Sequence, residues 1–228
     1  MRGFGFCCVH CQQPLAIAHH GLCSRCNQQI RRFAYCGHCG KELTRDALRC
    51  GHCLQHKASW DRMVIVGHYV DPLSCLIQRF KFQHAFFLDR TLARLLLLAL
   101  YHARRTHGLI WPEVLLPVPL HRLRHWQRGY NQSALIANYL AHWLQIPCDH
   151  DFLQRIKHTH TQRGLSATER RKNLRHAFRL HPKSQTHRYQ SVALIDDVIT
   201  TGATLNELAL LLRKAGVEHI QVWGLAKT

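Results

Sequence analysis

Acidic side chains are scarce in this 228-residue sequence. Thirteen aspartates and glutamates stand against 31 lysines and arginines, a formal charge of +18 with histidine neutral. A balance so one-sided favours anionic partners, nucleic acid or phosphorylated ligands, and carries no information about fold. Long apolar runs are missing as well: stretches such as 95–101 fall far short of the ~20 residues that span a bilayer. The opening residues, MRGFGFCCVHC, lack the apolar core of a signal peptide. No membrane span is expected, and a cytoplasmic address is the default. Neither GxGxxG nor a Walker A lysine pattern occurs, so dinucleotide and nucleoside-triphosphatase readings drop out. Apolar residues still make up 46% of the chain, enough to bury a core.

What is present is unevenly placed. Nine of the eleven cysteines fall within the first 53 residues, and eight of them form CxxC pairs: Cys8/Cys11, Cys23/Cys26, Cys36/Cys39 and Cys50/Cys53. Two intervening residues let a tight knuckle aim both sulfurs at one ion, and two knuckles complete a tetrahedral Cys₄ site. The gaps between knuckles, eleven residues and then ten, suggest tandem zinc ribbons, with a crossed pairing of alternate knuckles also open. Disulfides are disfavoured because nothing marks the chain for export. A thioredoxin-like role needs one CxxC beside a βαβ unit, not four in a row. Iron–sulfur ligation matches the thiolate count, but the glycine-flanked knuckles CGHCG and CGHC look more like zinc. Cys7 is an alternative to Cys8 as ligand, and His10, His38 and His52 sit inside knuckles where side chains point away from the ion. Closed Cys₄ sites leave no position for chemistry, so this segment, 1–58, is expected to be structural and to depend on its metal.

From about residue 60 the texture changes. Met63–Tyr69 reads as a strand, Pro72 as a helix start, 87–107 as a long amphipathic helix, and Val114–Val118 as a strand. Gln132–Leu144 is a helix, Val192–Ile195 a buried strand, 203–215 a helix, and His219–Gly224 a last strand. Strands alternating with helices predict an α/β domain with a largely parallel sheet over 59–228. Within it, 155–179 is a basic, irregular stretch with eight basic side chains against Glu169 alone, and Ser166 and Glu169 have capping-box spacing.

The sharpest chemical signal is VALIDDVITTGAT, residues 192–204. Open parallel sheets place ligands at the C-terminal ends of their strands, where Asp196 and Asp197 stand. Thr200, Thr201, Gly202, Ala203 and Thr204 then lead into a helix, whose unpaired N–H groups and dipole favour a phosphate. The carboxylates are suited instead to hydroxyls a few ångströms away, as on a ribose. This string resembles the phosphoribosyl pyrophosphate (PRPP) motif of type I phosphoribosyltransferases.

Three further segments widen the resemblance. The cysteine knuckles, PVPLHRLRHWQRGYNQ (117–132), TQRGLSATERRKNLRHAF (161–178) and the acid–threonine string occur in an order that resembles the ComF/GntX family across essentially the whole chain. The resemblance implies a double zinc ribbon followed by a type I phosphoribosyltransferase-like domain that binds PRPP with Mg²⁺. It also implies a role in the uptake and use of external single-stranded DNA, beside a helicase and the competence machinery. Arg122, Arg124 and Arg128 are then expected on pyrophosphate or DNA phosphate, with Asn131 an alternative helix cap and Trp126 and Tyr130 able to stack on a base. Gln162, Arg163, Arg170, Arg171 and Lys172 resemble a lid that closes over PRPP or a track for DNA. No side chain stands out as an acceptor-specific base, and the acceptor is unidentified. Two readings follow: a phosphoribosyltransferase, or a non-catalytic single-stranded DNA-binding module whose PRPP pocket is regulatory or a relic.

Overall fold

The computed structural model describes residues 6–17, 20–55, 58–120, 129–156, 177–182 and 189–228. The order is α1 (Ser24–Gln29), α2 (Gly51–Gln55), β1 (Arg62–His68), α3 (Leu73–Phe82), a 3₁₀ turn (Phe86–Leu88), α4 (Asp89–Thr106), β2 (Val114–Pro117), α5 (Gln132–Leu144), β3 (Leu153–Arg155), β4 (Phe178–Leu180), β5 (Ser191–Ile199), α6 (Ala203–Lys214) and β6 (His219–Lys227).

The apolar segments pair in the spatial order β1-β6-β5-β2, and every pairing in this sheet is parallel. Successive residues point to opposite faces, so each strand serves two cores. Val64, Val66, Ile195 and Trp223 pack on one face against Leu76 and Phe80 of α3, Leu92 and Leu96 of α4, and Ile136 and Leu140 of α5. Met63, Ile65, Leu194 and Val222 face the other way, onto Leu205, Leu208 and Leu212 of α6. The expected parallel α/β architecture is therefore present, doubly wound.

α5 begins and ends where its sequence pattern predicts. Asn131 caps it, accepting a hydrogen bond from the Ser133 backbone N–H at 3.0 Å. Strand β5 differs from expectation. It continues four residues past Ile195 because the acid pair keeps pairing with β6, Asp196 opposite Gly224 and Val198 opposite Ala226. β3 and β4 form a separate antiparallel pair in a region whose sequence shows no strand period.

The two outer strands do not leave bare edges, which would otherwise template aggregation. Beside β2, the Leu115 N–H donates to Pro147 O (2.9 Å) and the Asp149 N–H to Leu115 O (3.0 Å). Beside β1 the cysteine-rich segment does this work. Met63 N–H donates to Gly37 O (2.8 Å) and His68 N–H to Arg31 O (2.9 Å). Gly40 is at φ +69°, and a Cβ there would stand 2.5 Å from Met63 Sδ, so only glycine lets the third knuckle approach the sheet.

Candidate functional site

Eight cysteine sulfurs gather as two sets of four, Cys8, Cys11, Cys23 and Cys26, and Cys36, Cys39, Cys50 and Cys53, each set within 4.8 Å. The pairing is sequential, not crossed. Sγ–Sγ separations of 3.7 Å recur at Cys11–Cys23, Cys36–Cys53, Cys39–Cys50 and Cys50–Cys53. Thiolates about 2.3 Å from a tetrahedral zinc ion stand about 3.8 Å apart, whereas a disulfide needs about 2.05 Å. The donor set and its spacing thus fit zinc. Burial pushes the Cys8 thiol up, but backbone hydrogen bonds at Cys11, Cys23 and His10 outweigh it and bring the group down to about 6. Cys50 is likewise brought to about 7, against burial, chiefly by the Cys53 backbone. In each set one thiol is thus lowered, while burial and the neighbouring sulfurs push the Cys26, Cys39 and Cys53 thiols up. Cys7 is exposed and stands outside the first set, and none of His10, His38 or His52 joins either.

The second cluster lies at the C-terminal end of β5. Asp197 is buried and Asp196 partly so. The ammonium of Lys81, from the last turn of α3, lies 2.8 Å from Asp197 Oδ1, and both side chains are largely withdrawn from solvent. Desolvation pushes the Asp196 carboxyl up to about 7; the Asp197 charge adds to this, and Lys81 and Arg155 oppose it. Two adjacent carboxylates with one ammonium on the second leave the first half-protonated near neutrality.

The chain next turns through Thr200 and Thr201, both exposed, into α6. Gly202 is the N-cap, at φ 72° and ψ 8°. A Cβ there would meet the Trp60 ring at 3.0 Å, so the residue is glycine for conformation and for closeness alike. Thr201 Oγ1 accepts a long 3.4 Å bond from the Ala203 N–H. The remaining first-turn N–H groups of α6 face the same end of the sheet as the carboxylates, as its helix start requires.

Trp60 ties this turn to the cysteines. Its indole N–H donates to His38 O at 2.7 Å, inside the Cys36–Cys39 knuckle, while its ring lies under Gly202. Ser59 Oγ donates to Asn206 Oδ1 at 2.9 Å, and Arg213 reaches Asp61 at 2.6 Å.

Asp196, Asp197, Thr200, Thr201, Gly202, Ala203 and Thr204 are thus placed on one strand–turn–helix. Arg122, Arg124, Arg128, Gln162, Arg163, Arg170, Arg171 and Lys172 lie outside the described residues, as do Trp126, Ser166 and Glu169. Lys81 and Trp60 are absent from the sequence-based site. A single lysine in Phe80-Lys-Phe82 and a tryptophan ahead of a strand have no motif spacing, and only the folded chain brings them to residues more than a hundred positions away.

A parallel, doubly wound sheet with an acid pair and threonine turn on an inner strand, and with two Cys₄ groups before it, defines a class: an α/β protein with a cysteine-rich N-terminal segment whose two Cys₄ groups fit zinc. The sequence is 58% identical over 227 residues to competence protein F of Haemophilus influenzae, covering 100% of this chain and 99% of that protein. It is 44% identical over 223 residues to the DNA utilization protein YhgH of Escherichia coli O157:H7, covering 97% and 96%. The chain belongs to the ComF family. It is also 28% identical to competence protein ComFC of Bacillus subtilis over 218 residues, covering 92% and 78%. No protein-family model matches the sequence. Among solved structures, the glutamine PRPP amidotransferase of B. subtilis aligns at a TM-score of 0.37 and 20% identity, over 61% of this chain. The chain spans about a quarter of that larger protein (26%). Among the described residues no helix is long and apolar enough to cross a membrane.

Proposed function

We propose that this protein binds PRPP, with Mg²⁺, at the β5–α6 turn, and that it serves in the cytoplasmic use of imported single-stranded DNA, as its relatives' names of competence and DNA utilization suggest. The division is a zinc-ribbon segment over 1–58 and a phosphoribosyltransferase-like segment over 59–228. The observation that carries the PRPP reading is the acid pair on β5, followed within five residues by a left-handed Gly202 and the open start of α6. The first-turn N–H groups and threonine hydroxyls suit a 5′-phosphate, and the carboxylates suit ribose hydroxyls. Among the described residues no third carboxylate, histidine or cysteine joins Asp196 and Asp197 within ligating distance. Magnesium would then be held mainly through the ligand's own oxygens and water, as that ion prefers, with Asp196 and Asp197 the nearest protein carboxylates. Its chemistry there is to neutralise the pyrophosphate leaving group.

Calorimetric titration of the zinc-loaded chain with PRPP and Mg²⁺ tests this. Saturable binding is expected, and Asp196→Asn/Asp197→Asn abolishes it. A folded, metal-replete protein that takes up no PRPP refutes the reading. With binding established, release of pyrophosphate in an acceptor screen separates a transferase from a protein that uses PRPP only as a ligand. The charge of +18 favours a nucleic-acid contact in either case.

A further inference from the structure

Arg62, Ser191 and His219 are the first residues of β1, β5 and β6, at the end of the parallel sheet away from the acid pair. They line a cavity of about 500 Å³ together with Arg49 of the cysteine-rich segment and Ile110 and Trp111 of the α4–β2 loop. That size lies within the range of small-molecule sites, roughly 300–1,000 Å³.

Two guanidiniums border this cavity without a counter-charge. Among the described residues neither Arg49 nor Arg62 forms an ion pair with a carboxylate. The acids in the same wall are already engaged. Asp61 accepts from the Arg213 guanidinium at 2.6 Å and from the Ile220 N–H at 2.8 Å. Glu113 accepts from the Gln190 and Ser191 N–H groups at 2.9 and 3.4 Å. Arg62 spends an N–H on Asp61 O at 3.0 Å, out of the five donors that a guanidinium carries. The opposite wall is apolar and held in place. Gln221 Nε2 donates to Ile110 O at 2.7 Å, and Gln221 Oε1 accepts from the Trp223 indole N–H at 3.0 Å. The Arg104 guanidinium lies 4.7 Å from the Trp111 ring centroid, and the Trp223 ring 6.2 Å from it. Ile110 is left 79% exposed at the rim.

We propose that this cavity binds a nucleotide, with its phosphate on Arg49 and Arg62 and its base against Trp111 and Ile110. Guanidinium forks match phosphate oxygens, and two of them converging without a carboxylate call for an anion. An inorganic anion would leave the apolar wall unused, and an apolar ligand would leave both guanidiniums unanswered. A flat base carrying a phosphate meets both walls. Such a group has two sources, a free nucleoside monophosphate and one unit of a single strand, and its chemistry is the same in each. The site is independent of the PRPP reading, since Asp196 and Asp197 lie towards the other end of the sheet.

Calorimetric titration of the zinc-loaded chain with thymidine 5′-monophosphate, beside thymidine and inorganic phosphate, is the test. The monophosphate is expected to bind saturably and more tightly than either fragment. Arg49→Gln and Arg62→Gln each weaken it by about tenfold to a hundredfold. Tryptophan emission responds to the monophosphate in the wild type, and the response is lost in Trp111→Phe. Oligothymidylate that displaces the monophosphate, with the same dependence on both arginines, makes the occupant a unit of a strand. Oligothymidylate that fails to displace it makes the occupant a free nucleotide. PRPP uptake is the same in both arginine variants, so failure of this site is distinguishable from failure of the β5–α6 turn. A folded, zinc-loaded chain that takes up no monophosphate overturns the proposal. So does wild-type affinity in the Arg49→Gln/Arg62→Gln double variant, or inorganic phosphate bound as tightly as the monophosphate.

Discussion

Two carboxylates in succession on a buried strand repel one another, and at the first of them burial weighs even more heavily against the charged form. Lys81 sits on Asp197, while desolvation and the Asp197 charge raise Asp196 to about 7. The consequence for stability has a definite sign. The folded chain keeps a proton on Asp196 that the unfolded chain, with an ordinary aspartate, releases near pH 4. The stabilisation associated with that proton is complete below pH 4 and is lost as pH rises through 7. Asp196→Asn, a permanently neutral mimic, is expected to match the wild type in acid and to exceed it above pH 7, by on the order of 4 kcal/mol at most. Urea unfolding at pH 5, 6, 7 and 8 measures the difference, and a gap that does not widen with pH contradicts the assignment.

At the scale of elements, the turn from β5 into α6 is a conformational requirement as much as a chemical one. Gly202 needs a positive φ, and its missing Cβ makes room for Trp60. Gly202→Ala adds left-handed strain and a tight ring contact, for a loss of about 1–3 kcal/mol in stability. PRPP affinity is expected to fall with it, since the strained residue begins the phosphate turn. Thermal melts and calorimetry of the same variant check both. This turn was legible in the sequence because its whole logic is local: apolar strand, acids, glycine, helix within thirteen residues. α5 was legible for the same reason, with Asn131 and a run of apolar positions at helical spacing. Strand β5 read too short, since a period-based reading stops at the first charged residue while the hydrogen-bond ladder with β6 does not. Lys81 and Trp60 were invisible because each acts through a partner far away in sequence.

For the whole molecule, the question is whether the cysteine-rich segment is an appendage or part of the fold's support. Cys8, Leu22, Cys26 and Ile30 belong to the same buried cluster as α3, α4 and the adjoining face of the sheet. Backbone from the same segment covers the free edge of β1, and the His38 carbonyl holds Trp60 beneath Gly202. Binding at a Cys₄ zinc site is worth about 10–16 kcal/mol in small peptides, so it can supply the folding energy of a segment with little core of its own. Removing the metal therefore takes away more than two knuckles. It withdraws part of the main core, opens an edge strand, and releases the ring that supports the phosphate turn. Chelation is expected to lower the melting temperature of the entire chain in one cooperative transition, to promote aggregation through β1, and to restore both on returning zinc. Differential scanning calorimetry with and without chelator makes the comparison. A second transition that persists at its original temperature after chelation would show instead that the sheet stands without the cysteines, leaving the Trp60 bond to His38 as contact without support.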